Sequence, residues 1–461
     1  MTALWTSDEI ALATGGAASA RFEAGGVTFD SREVQPGDLF VAMPGTAHDG
    51  HQFVAGAFAS GAAGALVSRV VDGPHVLVDD VFAALQALGR AARERTRARV
   101  VGVTGSVGKT STKEAIFAAL DRCAPGKVHR SVKSYNNHTG VPLSLARMPR
   151  ESEFAVLEMG MNNAGEIAAL TRQVRPHVTV ITAIAPAHIE NLGSEEAIAD
   201  AKAEIFQGLE PEGIAIIPND TPHRDRLVKA ARRHAERIVT FGSGDADIHA
   251  IHAVTADGGG SLISAVLLER ELTFTISLPG DHWVSNSLAV VAAVEVLGAD
   301  VARAGLALAD MGGLKGRGKR YRLPIDGGEI LLIDESYNAN PASMAATLKT
   351  LGQERDVMRR IAVLGPMREL GEHGTELHAG LAPAVRAARI DQLILIGDDM
   401  RPLAEKVIGI IPLDLVTSVD DATESLMRTL RAGDAVLVKA SNSVGLAKLV
   451  QRVAGGLECS T

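Results

Sequence analysis

The run Thr104-Gly105-Ser106-Val107-Gly108-Lys109-Thr110 has the chemistry of a phosphate cradle. The β-branched stretch Val100-Val101-Gly102-Val103 precedes it and a helical pattern follows. In that order of strand, loop and helix, glycines let backbone N–H groups close around phosphate oxygens. The helix start adds its partial positive charge. Lys109 can reach the outer phosphates, and the Thr110 hydroxyl can ligate Mg²⁺. A nucleoside triphosphate is the expected ligand. The commoner pattern G-x-x-x-x-G-K-[ST] has Gly where this chain has Val103. A glycine-rich βα turn that merely contains a lysine is the plain alternative. Lys-Thr directly after Gly at a helix start speaks against it.

Other polar groups fall where strands should end. An apolar run over 154–159 carries one acid, Glu158, near its tip. Ligands of α/β sheets sit at that edge, and a phosphate-loop enzyme needs a carboxylate there for Mg²⁺. His188 follows the next apolar run, 178–184, and suits a metal contact, a phosphate contact or a cap. Lys202, among acids in a helical pattern, reads as a surface lysine on composition alone. Asn136, Asn137 and Thr139 form a polar turn that could hold substrate or simply shape the loop. Farther on, Asp334 could accept bonds from ribose hydroxyls and Tyr337 could stack on a base or pack in its loop. Pro341 is placed to open a helix.

These groups need several scaffolds. At 461 residues two to four domains are expected. The net charge of −9 argues against a nucleic acid partner. Two cysteines, Cys123 and Cys459, offer no disulfide framework, and a cytoplasmic location fits. No signal peptide and no membrane span are evident. The expected fold class is α/β in three domains. A small α/β domain covers 1–80, with strands at 38–43 and 76–78, a short helix near 53–60, and Asp79 or Asp80 capping a helix over 81–95. A central phosphate-loop domain, 81–314, alternates apolar strands (154–159, 178–184, 214–218) with helices (116–120, 197–209, 283–297), which predicts a mostly parallel sheet. The alternating stretch 249–278, with glycines at 258–260, predicts an antiparallel flap. Gly and basic residues at 312–320 mark a second boundary. Strands at 329–333, 361–364, 393–396 and 435–438 then predict a Rossmann-like, doubly wound domain over 315–461.

Taken together, the chain resembles the Mur ligase family of ATP-dependent amide-forming enzymes over nearly its whole length. Thr104-Gly105-Ser106-Val107-Gly108-Lys109-Thr110-Ser111-Thr112-Lys113-Glu114 looks like that family's ATP loop. The resemblance implies Mg²⁺ positions at Glu158 and His188, and a metal-ligating carbamate on Lys202, hence two ions together with Thr110. It implies adenine- and phosphate-side contacts at Asn286 and Arg317. Asp30-Ser31-Arg32 and Asp49-Gly50-His51 resemble a UDP-binding N-terminal site, with Ser31, Arg32, Asp49 and His51 as its candidates. Ser336-Tyr337-Asn338-Ala339-Asn340-Pro341 resembles the branch that joins D-alanyl-D-alanine to a UDP-N-acetylmuramoyl tripeptide. Glu335, Pro366 and Ala440-Ser441-Asn442 depart from the family pattern. The implied chemistry is phosphorylation of the tripeptide carboxylate, then attack by the dipeptide amine, in a monomer. Another Mur-type or folylpolyglutamate ligase, a phosphate-loop kinase or NTPase, and a plain nucleotide-binding module are the competing readings.

Overall fold

The computed structural model describes residues 3–45, 48–186, 189–256 and 259–458. Its architecture is α/β, built on three principal sheets. The N-terminal sheet has the order Ala17–Ala18, His75–Leu77, Gly64–Val67, Asp38–Val41, Gly26–Thr28. All its pairings are parallel except that of Ala17–Ala18. Asp80 caps the helix Val81–Glu94 by accepting from the N–H groups of Phe82 and Ala83. Val81, Ala84, Leu85, Leu88 and Ala92 of this helix enter one apolar cluster with Trp5, Leu39 and Leu66. Leu143 and Ala146 join the same cluster from the helix Gly140–Ala146, so the N-terminal sheet and the central part share a core.

The central sheet has nine strands. From one edge the order is Glu271–Ile276, Ser261–Val266, Ile248–Thr255, Arg237–Gly242, Ile214–Pro218, Val178–Ile181, Arg99–Thr104, Phe154–Glu158, Val128–Arg130. Val100, Val101, Val103, Val156, Val178 and Val180 are fully buried, as a parallel strand covered on both faces requires. The expected flap is present as antiparallel strands, but they continue this sheet rather than leave it. Gly258 of its turn lies outside the described residues. Sequence patterning does not single out Arg237–Gly242, which opens on Arg, or Val128–Arg130, three residues that include His and Arg.

The last sheet has the order Lys319–Ile325, Gly328–Glu335, Asp434–Lys439, Arg359–Leu364, Gln392–Ile396, Leu413–Val416. Only the first pairing is antiparallel. Asn340 caps Pro341–Gly352, with Pro341 in its first turn as expected. The predicted helix over 197–209 is instead an α-helix, Glu195–Ala203, followed by 3₁₀ turns, Glu204–Gly208. Among the described residues no helix is long and apolar enough to cross a membrane.

Candidate active site

The loop after Arg99–Thr104 is built for an approach that side chains would block. Gly105 has φ 146°, and a Cβ there would lie 2.1 Å from Thr182 Oγ1. Gly108, at φ 84°, precedes the helix Lys109–Cys123, whose 15 residues point their N-terminus into the loop. The neighbouring strand's end pins this loop: Ser106 N–H donates to Ala183 O at 2.8 Å, and Thr182 Oγ1 donates to Val107 O at 2.5 Å. Thr104 Oγ1 donates to Met159 O at 2.8 Å, tying in the other neighbour. Lys109 Nζ folds back to donate to Gly105 O at 2.7 Å. Ser106 Oγ is buried without a protein partner.

Glu158 ends its strand fully buried beside this loop. Its Oε2 accepts from Thr110 Oγ1 at 2.9 Å and its Oε1 from Asn136 Nδ2 at 2.8 Å. The donors Thr110 and Glu158 are hard oxygens, the kind Mg²⁺ takes. Burial pushes the Lys109 pKa down, against the pull of Glu158, and the Arg317 charge adds to the fall. Lys202 has no exposed surface, and among the described residues its Nζ has no hydrogen-bond partner. Burial, then the charge of Lys109, holds its pKa well below the ordinary lysine value. A buried ammonium with nothing to bond is costly, so this position suits an amine that is neutral or modified. His188 lies outside the described residues.

Asn286, in the helix Asp281–Val296, overhangs the loop: a Cβ on Gly108 would lie 3.0 Å from its Oδ1. Arg317 arrives from the hinge before the last sheet. Its Nη2 donates to Ser134 Oγ at 3.3 Å, and its guanidinium lies 4.2 Å from the Tyr337 ring centroid. Thus Tyr337 is a platform for Arg317 in this arrangement. Asp334 bonds to its own chain in this arrangement. It is buried, with Oδ2 accepting from Gly316 N–H at 2.8 Å and Oδ1 from Ser336 Oγ at 2.6 Å. These bonds tie the turn at Gly316 to the end of the strand Gly328–Glu335.

Other expected contacts also serve the chain itself. Asn137 Oδ1 accepts from Gly140 N–H at 2.9 Å and Thr139 Oγ1 at 3.0 Å, so this pair starts the helix Gly140–Ala146. Arg32 makes a two-pronged pair with Asp30, at 2.8 and 2.6 Å. That pairing holds the Asp30 carboxyl down to about 2. Ser31, between them, is partly exposed. His51 Nδ1 meets Asp49 Oδ1 at 2.7 Å, while its Nε2 accepts from Ser68 N–H at 3.0 Å. The second bond fixes the proton on Nδ1, and both ring nitrogens are used. The His51 backbone N–H and then its ring hold Asp49 down to about 2. Asp49 and His51 thus shape the N-terminal loops rather than present free donors.

Sequence reading missed Lys113, Ser131, Ser134 and Thr182. Their partners lie 18 to 183 residues away, and only the fold brings them together.

Fold and site together define a three-part α/β protein whose phosphate loop meets a buried Thr–Glu pair. Three family models match it: "Mur ligase family, catalytic domain" over 23–104, "Mur ligase middle domain" over 103–294, and "Mur ligase, glutamate ligase domain" over 319–442. A Synechocystis protein named UDP-N-acetylmuramoyl-tripeptide--D-alanyl-D-alanine ligase is 36% identical over 434 residues, covering 92% of this chain and 90% of that one. A crystal structure of MurF from Acinetobacter baumannii is 28% identical, with a TM-score of 0.84, covering 98% and 99%. MurF ligase from Thermotoga maritima, solved in complex with ADP, is 27% identical, with a TM-score of 0.76, covering 95% and 98%. The chain belongs to the Mur ligase family.

Proposed function

We propose that this enzyme joins D-alanyl-D-alanine to the terminal carboxylate of a UDP-N-acetylmuramoyl tripeptide, with ATP as energy source, in building peptidoglycan precursors. The observation that carries this reading is the Thr110–Glu158 bond, 2.9 Å, beside a phosphate loop in a chain so similar to ligases of that name.

Amide formation from a carboxylate is uphill in water. The γ-phosphoryl group of ATP moves to the tripeptide carboxylate, giving an acyl phosphate and ADP. The dipeptide amine attacks the acyl carbon, its proton is lost, and phosphate leaves. Phosphoryl transfer needs charge neutralisation and alignment more than covalent help. Lys109 leaves Gly105 O for the outer phosphates, and Ser106 Oγ is free to donate to them. Arg317 supplies charge from the hinge, and Asn286 borders the nucleotide. Mg²⁺ supplies further neutralisation; Thr110 and Glu158 would hold one ion, and His188 with a carbamate on Lys202 a second. A neutral Lys202 amine adds CO₂ and releases a proton, which turns an unsatisfied group into an anionic oxygen ligand.

We assign residues 1–80 to the UDP-bearing substrate, with Ser31 and Arg32 at its rim, 81–314 to ATP, and 315–461 to a closing domain. The proposed enzyme is a cytoplasmic monomer. Phosphate release tests the reading: it should require ATP, the UDP-linked tripeptide and D-alanyl-D-alanine together. Equal release without the dipeptide would replace it with an NTPase.

A further inference from the structure

Lys113 is a fully buried lysine that the proposed chemistry leaves without a task. It lies in the first turns of the helix Lys109–Cys123, three residues beyond Thr110. Its Nζ donates to two backbone carbonyls, Ser131 O at 2.8 Å and Lys133 O at 3.0 Å, and meets Glu114 Oε1 at 2.8 Å. All three ammonium protons are thereby used. Glu114 is held in turn by Arg130, at 2.9 Å. Lys133 stands at φ 53°, a left-handed conformation that a non-glycine residue keeps only when its surroundings impose it.

The loop so clamped reaches all three parts of the molecule. Ser131 Oγ accepts from Glu158 N–H at 3.2 Å, and Asn136 donates to the Glu158 carboxylate. Ser134 takes Arg317 from the hinge. Lys133 pairs with Glu33, and the Tyr135 ring lies 5.4 Å from that of Phe29, both in the N-terminal part.

We propose that Lys113 is a positioning residue for the metal–nucleotide site. Through the 131–136 loop it sets where the Glu158 carboxylate stands relative to Thr110. The inference rests on the proposed Mg²⁺ at Thr110 and Glu158. A lysine is suited to the task because one buried cation satisfies two carbonyls that would otherwise turn the loop outward.

The test uses the whole chain and two probes, Mg·ADP and ADP in EDTA, titrated calorimetrically. Lys113→Met keeps the length and removes the donors. The gain in ADP affinity due to Mg²⁺ should fall ~10–100-fold, the range for groups that orient metal ligands, while affinity in EDTA moves less than about threefold. Ligase kcat should fall with it, and KM for D-alanyl-D-alanine should hold. Lys113→Gln, which can still reach one carbonyl, should lie between the two. A folded Lys113→Met protein with the wild-type Mg²⁺ gain overturns the proposal, whatever its melting temperature. Should Lys113→Met not fold, Lys113→Gln decides on the same measure. A wild-type enzyme that binds Mg·ADP but makes no amide would refute the proposed reaction and leave this binding test standing.

Discussion

Replacing Lys202 by Met should make the metal-free protein more stable and nearly inactive. The side chain has no exposed surface and its amine has no partner among the described residues. An unsatisfied buried polar group costs about 1–3 kcal/mol. Met fills a similar volume without that cost, so the variant should gain about that much, a few degrees in melting temperature for a chain of this size. Activity should move the other way. Losing a ligand that stabilises transition-state charge by roughly 3 kcal/mol slows turnover about 10²-fold. Thermal unfolding is to be followed first in EDTA and CO₂-free buffer, then in Mg²⁺ and bicarbonate. In the first medium the variant should melt higher. In the second the wild type should rise and Lys202→Met should not. Short carboxylic acids should restore part of the activity lost in Lys202→Ala, whose cavity admits them. The reasoning fails if Lys202→Met melts lower in the first medium and turns over at the normal rate. That result would make the buried amine an ordinary packing group.

Three more perturbations read separate parts of the site. Lys109→Ala should remove ATP turnover while leaving the melting temperature near wild type, since among the described residues the side chain bonds within its own loop, at Gly105 O and Ser106 O; normal amide synthesis would refute the phosphate-loop assignment. Gly105→Ala should weaken ADP binding by at least about tenfold in calorimetry, because φ 146° strains any side chain and the new Cβ would lie 2.1 Å from Thr182 Oγ1; unchanged affinity would show that the loop has room to move. Burial pushes His129 down to about 4, with its Nε2 bonded to Ser144 O at 2.7 Å. The folded state then binds fewer protons than the unfolded one between pH 6.5 and 4. Stability is kept above that window and lost as pH falls through it, by up to ~1.4 kcal/mol per pH unit. His129→Gln should flatten this part of the acid-unfolding curve, and an unaltered curve would assign the loss to other groups.

What could be read ahead of the fold divides by the range of the forces involved. Strand runs such as Val100–Val103 and helix starts such as Asp80 and Pro341 are decided within a few residues, so local pattern suffices for them. Arg237–Gly242 opens on an exposed Arg and Leu413–Val416 is interrupted by Asp414, and pairing with a neighbour decides both strands instead. The polar motifs separate in the same way. Thr110 and Glu158 are 48 residues apart, yet Thr110 opens the helix that follows one strand and Glu158 ends the parallel strand beside it, and a sheet-edge argument brings them together. Asp334, Asp49 and His51 have the residue types of ligand contacts but bond to backbone and side-chain groups of their own chain two to 18 positions away. Residue type alone does not distinguish an acid that waits for a ribose from one that closes a turn. Saturation of its oxygens does. Lys113 shows the converse. The sequence places it within the phosphate-loop run without a role, and the fold supplies the two carbonyls that bury it. The residues that bind and the residues that hold the binders in place thus draw on one alphabet, and counting each polar atom's partners is what separates them.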